Sequence, residues 1–247
     1  MLNMGGPESK EQVPDYMKNM FLDRDLIRLP FLQNFLGPKI AMRRINEIWE
    51  KYEQIGSYSP TNYWVPKQGK LLEKKLDQLS PETAPHKCLA SYRYIEPSSP
   101  SVIADLEDCE HPPENVIIFS QYPQYACCTA GSSLKHVAQS MQQLQRDNLD
   151  AELDYTRYSV IDGFHDHPLF VDTWVESIKK KIDEAEEKGF GRDDIEIVFS
   201  AHGMPVKNIE RGDQYEKEIK NSINLVMKEL VSRHGAYSEL ILYPLLA

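Results

Sequence analysis

His202 and the triplet His165-Asp166-His167 carry the side chains best suited to proton transfer or metal handling near neutral pH, because imidazole titrates there in its ordinary state. His202 lies in Ser200-Ala201-His202-Gly203-Met204-Pro205, directly after the apolar run Ile195–Phe199. A strand end there would put the ring at a crevice as a general base or metal ligand, and the following Gly and Pro mark a sharp turn. A histidine that only bonds its own loop fits the same residues. His165 and His167 flank a carboxylate, and these are common ligand types for a divalent cation, yet the favoured reading is that Asp166 or His167 simply caps a helix that begins at Pro168. Two aromatic and polar clusters, Ser91-Tyr92-Arg93-Tyr94 and Gln121-Tyr122-Pro123-Gln124-Tyr125, suit the lining of a pocket for a large planar ligand, with surface tyrosines as the plain alternative. Arg43-Arg44 follows an apolar stretch, residues 26–42, and could meet carboxylates or phosphates at its rim. That stretch is either a lip against a membrane or flat apolar ligand, or two short packed helices broken by Pro30 and Pro38. The adjacent Cys127 and Cys128 read as two thiols rather than a vicinal disulfide.

The elements that must hold these residues follow from composition and periodicity. The 247 residues are 41% hydrophobic and 27% charged, with 13 Tyr, 8 Phe and 3 Trp, enough apolar surface for a large α/β unit or two lobes. A net charge of -10 argues against general nucleic-acid binding. Nothing approaches the roughly 18 consecutive apolar residues of a membrane span, and no signal pattern opens the chain. Four scattered cysteines suggest a reduced intracellular protein. Val116–Phe119 and Ile195–Phe199 have the composition of strands largely covered on both faces. A helix from Leu134 to about Asn148 follows a serine N-cap in Gly131-Ser132-Ser133, and Asp213 and Glu216 stand in capping-box spacing before another helix. Residues 95–101 and Glu110-His111-Pro112-Pro113 read as connectors. Met1–Pro7 reads as a strand end running into a glycine turn, and Leu240–Tyr243 as a strand entering a core. Strand, loop, helix, strand is the pattern of a doubly wound parallel sheet, whose ligands bind past the carboxyl ends of the strands.

The chain resembles ferrochelatase, which inserts Fe(II) into protoporphyrin IX. The likeness runs over about residues 1–234, through Leu2-Asn3-Met4-Gly5-Gly6-Pro7, Phe21-Leu22-Asp23-Arg24-Asp25, Lys67-Gln68-Gly69, Arg93-Tyr94, Gln121-Tyr122-Pro123-Gln124-Tyr125, Gly131-Ser132-Ser133, Ile161-Asp162 and Ser200-Ala201-His202. The resemblance implies a chelatase-like α/β fold with lobes at 1–160 and 161–247, the first nearly complete. It implies catalytic or metal-handling roles for His202 and His167, and porphyrin contacts for Met4, Arg43, Arg44, Tyr52, Ser59, Arg93, Tyr94 and Tyr122. Fe(II) would be a substrate, Cys127 the first ligand of the 2Fe-2S cluster of animal members, and residues 26–42 the lip resting on the inner mitochondrial membrane from the matrix side. A homodimer is a further expectation.

Some family features are missing: the pocket glutamate opposite the histidine, the acidic residues of the metal path and the remaining cluster cysteines. Gly163-Phe164 replaces a cationic and aromatic pair familiar from animal members. The expectation is therefore a chain truncated at both ends, without a targeting peptide and with an incomplete second lobe. The alternative to an active ferrochelatase is a non-catalytic porphyrin-binding form or a partial gene model of the same family.

Overall fold

Short apolar runs separated by amphipathic stretches become parallel strands joined through helices in the computed structural model, which describes residues 1–29, 31–147 and 157–242. Contacts divide the chain into two units, Met1–Tyr122 with Cys127–Asp162, and Pro123–Ala126 with Gly163–Ala247. The first unit carries β1 (Leu2–Asn3), α1 (Val13–Leu22), α2 (Gln33–Glu53), α3 (Thr61–Leu79), β2 (Ser91–Tyr92), α4 (Ser99–Glu107), β3 (Val116–Phe119), α5 (Ser132–Asp147) and β4 (Tyr158–Ile161). β1 pairs with β2 through Leu2↔Ser91 and Asn3↔Tyr92, and β3 pairs with β4 from Val116↔Tyr158 to Phe119↔Ile161. A further parallel bridge joins Leu2 to Ser120, just past β3. The strand order is therefore β2-β1-β3-β4, with its reversal between β1 and β3. Crevices at such reversals, outside the carboxyl ends, are where doubly wound sheets take ligands.

Two apolar clusters hold this unit. Leu2, Ile103 of α4, and Val137 and Met141 of α5 are buried together with Ile118 and Tyr158 packed against them, so α4 and α5 cover the strands. Val13, Tyr16, Met17 and Phe21 of α1 pack with Ala41 of α2 and with Tyr94, and Met4 adjoins them. Burying one such aliphatic side chain contributes about 1.5–3 kcal/mol, so these few contacts fix the residues just past β1 and β2.

Three local expectations change. Pro38 lies inside one continuous α2 rather than between two short helices, while Pro30 falls outside the described residues. The missing N–H costs a helical bond, but α2 is held by α1: a Cβ on Gly37 would sit 2.9 Å from the Phe21 carbonyl oxygen, so the backbones touch there. Residues 99–101 begin α4, with Pro100 in its first turn where its missing N–H is harmless, so the connector ends sooner than expected. Ser132 and Ser133 lie inside α5 and are buried, behind a π-helical turn at Cys127–Gly131, so neither is a surface cap.

The second unit carries α6 (Pro168–Glu186), β5 (Glu196–Ser200), α7 (Val206–Glu210), α8 (Tyr215–His234) and β6 (Ser238–Leu242). β5 and β6 run parallel from Glu196↔Ser238 to Ser200↔Leu242. Val171, Val175 and Ile182 of α6 meet Ile223, Val226, Met227 and Leu230 of α8, with Ile197 and Phe199 of β5 packed against them. Asp213 Oδ1 accepts the Tyr215 N–H at 3.0 Å at the start of α8, while Glu218 rather than Glu216 turns back into the fold. β3 and β5 are covered on one face only, whereas their composition suggested strands largely covered on both. Ile117 of β3 and Val198 of β5 are exposed, because alternate residues of a strand point away from the side the helices cover. No helix among the described residues is long and apolar enough to cross a membrane.

Candidate active site

Residues past three adjacent strands are tied to one another at the strand-order reversal. The Met4 N–H donates to the Tyr122 hydroxyl at 2.9 Å, and the Met4 carbonyl accepts the Tyr94 N–H at 3.2 Å. The Tyr16 ring meets the Tyr94 ring edge-on, with centroids 6.1 Å apart, and Tyr16 also adjoins Tyr52. Gly6 lets the loop after β1 close onto Ser59, since a Cβ there would lie 2.3 Å from the Ser59 Cβ. The Asn62 side-chain amide holds Gly6 from both sides, accepting its N–H at 3.2 Å and donating to its carbonyl at 2.7 Å. Ser59 is buried, and its N–H donates to the Pro7 carbonyl at 3.1 Å. Burial pushes the Tyr122 phenol up to about 12 and raises those of Tyr16, Tyr52 and Tyr94 as well. All four are neutral at physiological pH. Tyr16 and Tyr94 are buried in the cluster of α1 and α2, which leaves the half-buried Tyr52 and Tyr122 to offer apolar faces without charge, as suits an aromatic ligand.

Behind this group sits a buried carboxylate that the sequence alone did not single out. The Asp23 side chain is only 2% exposed, and its Oδ2 accepts the Tyr94 hydroxyl at 2.8 Å, lies 3.1 Å from Arg93 Nη2, and accepts the Ser132 hydroxyl. Its Oδ1 accepts the Asp25 N–H at 2.8 Å. Arg93 Nε in turn donates to the Ser132 oxygen at 2.9 Å. Burial alone would raise the Asp23 pKa, but the bonds from Ser132, Asp25 and Tyr94 and the Arg93 charge outweigh it and hold the carboxyl below its usual range.

Arg43 and Arg44 lie on the exposed side of α2. Arg44 Nε and Nη2 each approach the Glu47 carboxylate at 3.4 Å, and Lys51 reaches the same group at 2.7 Å. Hydrogen bonds from Lys51 and Arg44 draw the Glu47 carboxyl down to about 2. Beside them Phe31, Leu32, Phe35 and Met42 are exposed, Phe31 by 78%. So much apolar area on one helix-and-turn segment is the composition of a contact surface.

In the second unit His202 follows β5 with its side chain exposed, between buried Ala201 and Met204. His167 is the N-cap of α6, its Nδ1 accepting the Leu169 N–H at 3.2 Å, so the capping alternative is realised and the proton on that ring, when neutral, sits on Nε2. His165 turns toward α8: its Nδ1 lies 3.4 Å from Glu218 Oε2, which also accepts the Tyr125 N–H at 2.7 Å. An open groove of about 780 Å³ is lined by His165, Asp213, Glu218, Lys220 and Asn221, and neither His167 nor His202 lines it. Among the described residues no three His, Cys, Asp or Glu side chains are grouped to hold a metal ion. Cys127 is exposed in the π-helical turn before α5, and none of the four cysteines forms a disulfide. The described residues do not by themselves supply the donor set of an iron–sulfur cluster around Cys127.

Comparison with known proteins agrees with the pattern of matched segments. The family model described as ferrochelatase matches residues 1–240. The chain belongs to the ferrochelatase family. The mitochondrial ferrochelatase of Drosophila melanogaster is 42% identical over 230 residues, covering 93% of this chain and 57% of that protein. The mitochondrial ferrochelatase of Homo sapiens is 41% identical over 231 residues, 93% of this chain and 52% of its own length, and that of Schizosaccharomyces pombe is 34% identical over 230 residues. This ferrochelatase-family chain thus spans about half the length of the curated relatives it matches. Within it the structure ties Met4, Tyr52, Ser59, Arg93, Tyr94 and Tyr122 together through shared neighbours, and leaves Arg43 and Arg44 on an outer helical surface. Sequence reasoning missed Asp23, Ser132 and Asn62, whose partners lie 71, 109 and 56 residues away. The one signal was their presence inside or near the matched segments.

Proposed function

We propose that this chain inserts Fe(II) into protoporphyrin IX, releasing two protons as the metal replaces the hydrogens on two pyrrole nitrogens. The observation that carries the reading is the joining of Met4, Arg93, Tyr94 and Tyr122 past the carboxyl ends of three strands, in a chain that belongs to the ferrochelatase family. In this reading the lobe of residues 1–160 receives the macrocycle. The neutral faces of Tyr52 and Tyr122 and the Met4 side chain pack on it with the buried Tyr94 behind them, and Ser59, Arg43, Arg44 and Arg93 meet its polar edge, which carries the propionates. Of the imidazoles, His202 accepts pyrrole protons and holds metal, and His167 hands metal on through the nitrogen its cap leaves outward. Fe(II) enters as substrate. In a longer form of the protein Cys127 would contribute one thiolate to a 2Fe-2S cluster whose other ligands the described residues do not supply, and no step here depends on it.

The relatives are named mitochondrial, which supports a mitochondrial location for this chain, and the exposed apolar residues of 26–42 support peripheral contact with the matrix side of the inner membrane. Pairing as a homodimer belongs to the same reading. The test is anaerobic incubation of the purified chain with protoporphyrin IX and Fe(II) or Zn(II). The visible bands should collapse to the two-band pattern of a metalloporphyrin; porphyrin that binds and keeps its free-base spectrum overturns the assignment.

A further inference from the structure

We infer that Asp23, assisted by Ser132, is the positioning residue that fixes the Arg93 guanidinium for an anionic edge of the porphyrin. This rests on the proposed porphyrin site and adds a residue to it. An arginine has many rotamers, and a ligand that must choose one binds more weakly. Here two positions of the guanidinium fork are occupied by groups from different elements: Nη2 by Asp23, just past α1, and Nε by Ser132 at the start of α5. The guanidinium carbon lies 5.1 Å from the centre of the Tyr94 ring, and Tyr94 is held by the same Asp23 oxygen. Asp23 is itself fixed by the Asp25 N–H and by the Tyr94 and Ser132 hydroxyls. Nη1 makes no hydrogen bond among the described residues, and the Arg93 side chain keeps 19% of its surface open. A buried ion pair is seldom a better stabiliser than an apolar substitute, so a pair with one donor pair left over at a ligand crevice is better explained by orientation than by stability.

The carboxylate of a porphyrin propionate is the acceptor this arrangement fits. Protoporphyrin IX and its dimethyl ester, which lacks those charges, are titrated by absorbance and fluorescence against the unsubstituted chain, Arg93→Gln, Asp23→Asn, Ser132→Ala and the Asp23→Asn/Arg93→Gln double variant. Arg93→Gln should weaken binding of the diacid about tenfold, and Asp23→Asn several-fold, while the diester changes less than about twofold. The double variant should bind no more weakly than Arg93→Gln, because Asp23 acts only through Arg93. Ser132→Ala should show the same selective loss to a smaller degree, and it carries the test if Asp23→Asn does not fold by circular dichroism. Equal losses for both porphyrins, or losses that add in full in the double variant, overturn the positioning role while leaving the porphyrin site standing. No binding of either porphyrin by the unsubstituted chain overturns both.

Discussion

Ionisation links the buried groups of the first unit to pH in two separate windows. His136, on α5 one turn after Ser132, has a buried Nδ1 with no hydrogen-bond partner, and burial, followed by the Arg93 charge, lowers its pKa from 6.5 to about 4. Between those values the unfolded chain takes up a proton that the folded chain refuses, so stability should fall as pH drops from 6.5 toward 4. Urea unfolding across that range should show this slope, and His136→Gln should flatten it; an unchanged slope would place the proton elsewhere. Asp23 acts below that range. Its folded-state pKa lies under the ordinary 3.8, so its stabilisation is present above that value and is lost as pH falls through the lower one. The residue scale was also where the sequence was hardest to read. Tyr94, Arg93 and Ser132 each stand in a recognisable segment, yet nothing local shows that all three converge on Asp23. A serine before an apolar helix pattern looks like a cap until the tertiary partner is known.

Elements were legible wherever periodicity and breakers agreed. β3, β5, α5 and α8 follow directly from β-branched runs and helical stripes, and Pro168 marks the start of α6. Pro38 misled, because the cost of a proline inside a helix is a local quantity and the packing of α1 on α2 is not. That packing makes Gly37 the sensitive position: Gly37→Ala should destabilise the protein by about 1–3 kcal/mol in chemical denaturation, since the new methyl meets backbone rather than a movable side chain. At the start of α6, His167 holds a structural and a proposed chemical role together. His167→Asn keeps a capping side chain and should leave the melting temperature nearly unchanged, whereas His167→Ala should cost about 1 kcal/mol. Both should slow metallation alike if the imidazole handles metal; a loss confined to His167→Ala would assign the histidine to capping alone. Coverage of the strands was misjudged from composition, since β-branched runs at β3 and β5 carry exposed Ile117 and Val198.

At the scale of the whole molecule, a net charge of -10 and an exposed apolar segment act in opposite directions at a membrane surface. On the proposed peripheral contact, adsorption would come from burial of Phe31, Leu32, Phe35 and Met42 rather than from charge attraction. Co-sedimentation with vesicles of inner-membrane composition should survive raised ionic strength, which screens charge and leaves the apolar term, and should fall sharply in the Phe31→Ser/Phe35→Ser variant. Retention that disappears with salt would show the arginines to be the anchors instead. The relatives, of whose length this chain spans about half, give the family but leave its chemistry to be measured. The proposed role of the imidazole just past β5, taking the pyrrole protons, is read from the rate of Zn(II) insertion into protoporphyrin IX by the unsubstituted chain and by His202→Ala. His202→Ala should still shift the porphyrin Soret band on binding but form no zinc porphyrin above the protein-free rate; equal insertion rates in the two proteins would remove His202 as the proton acceptor.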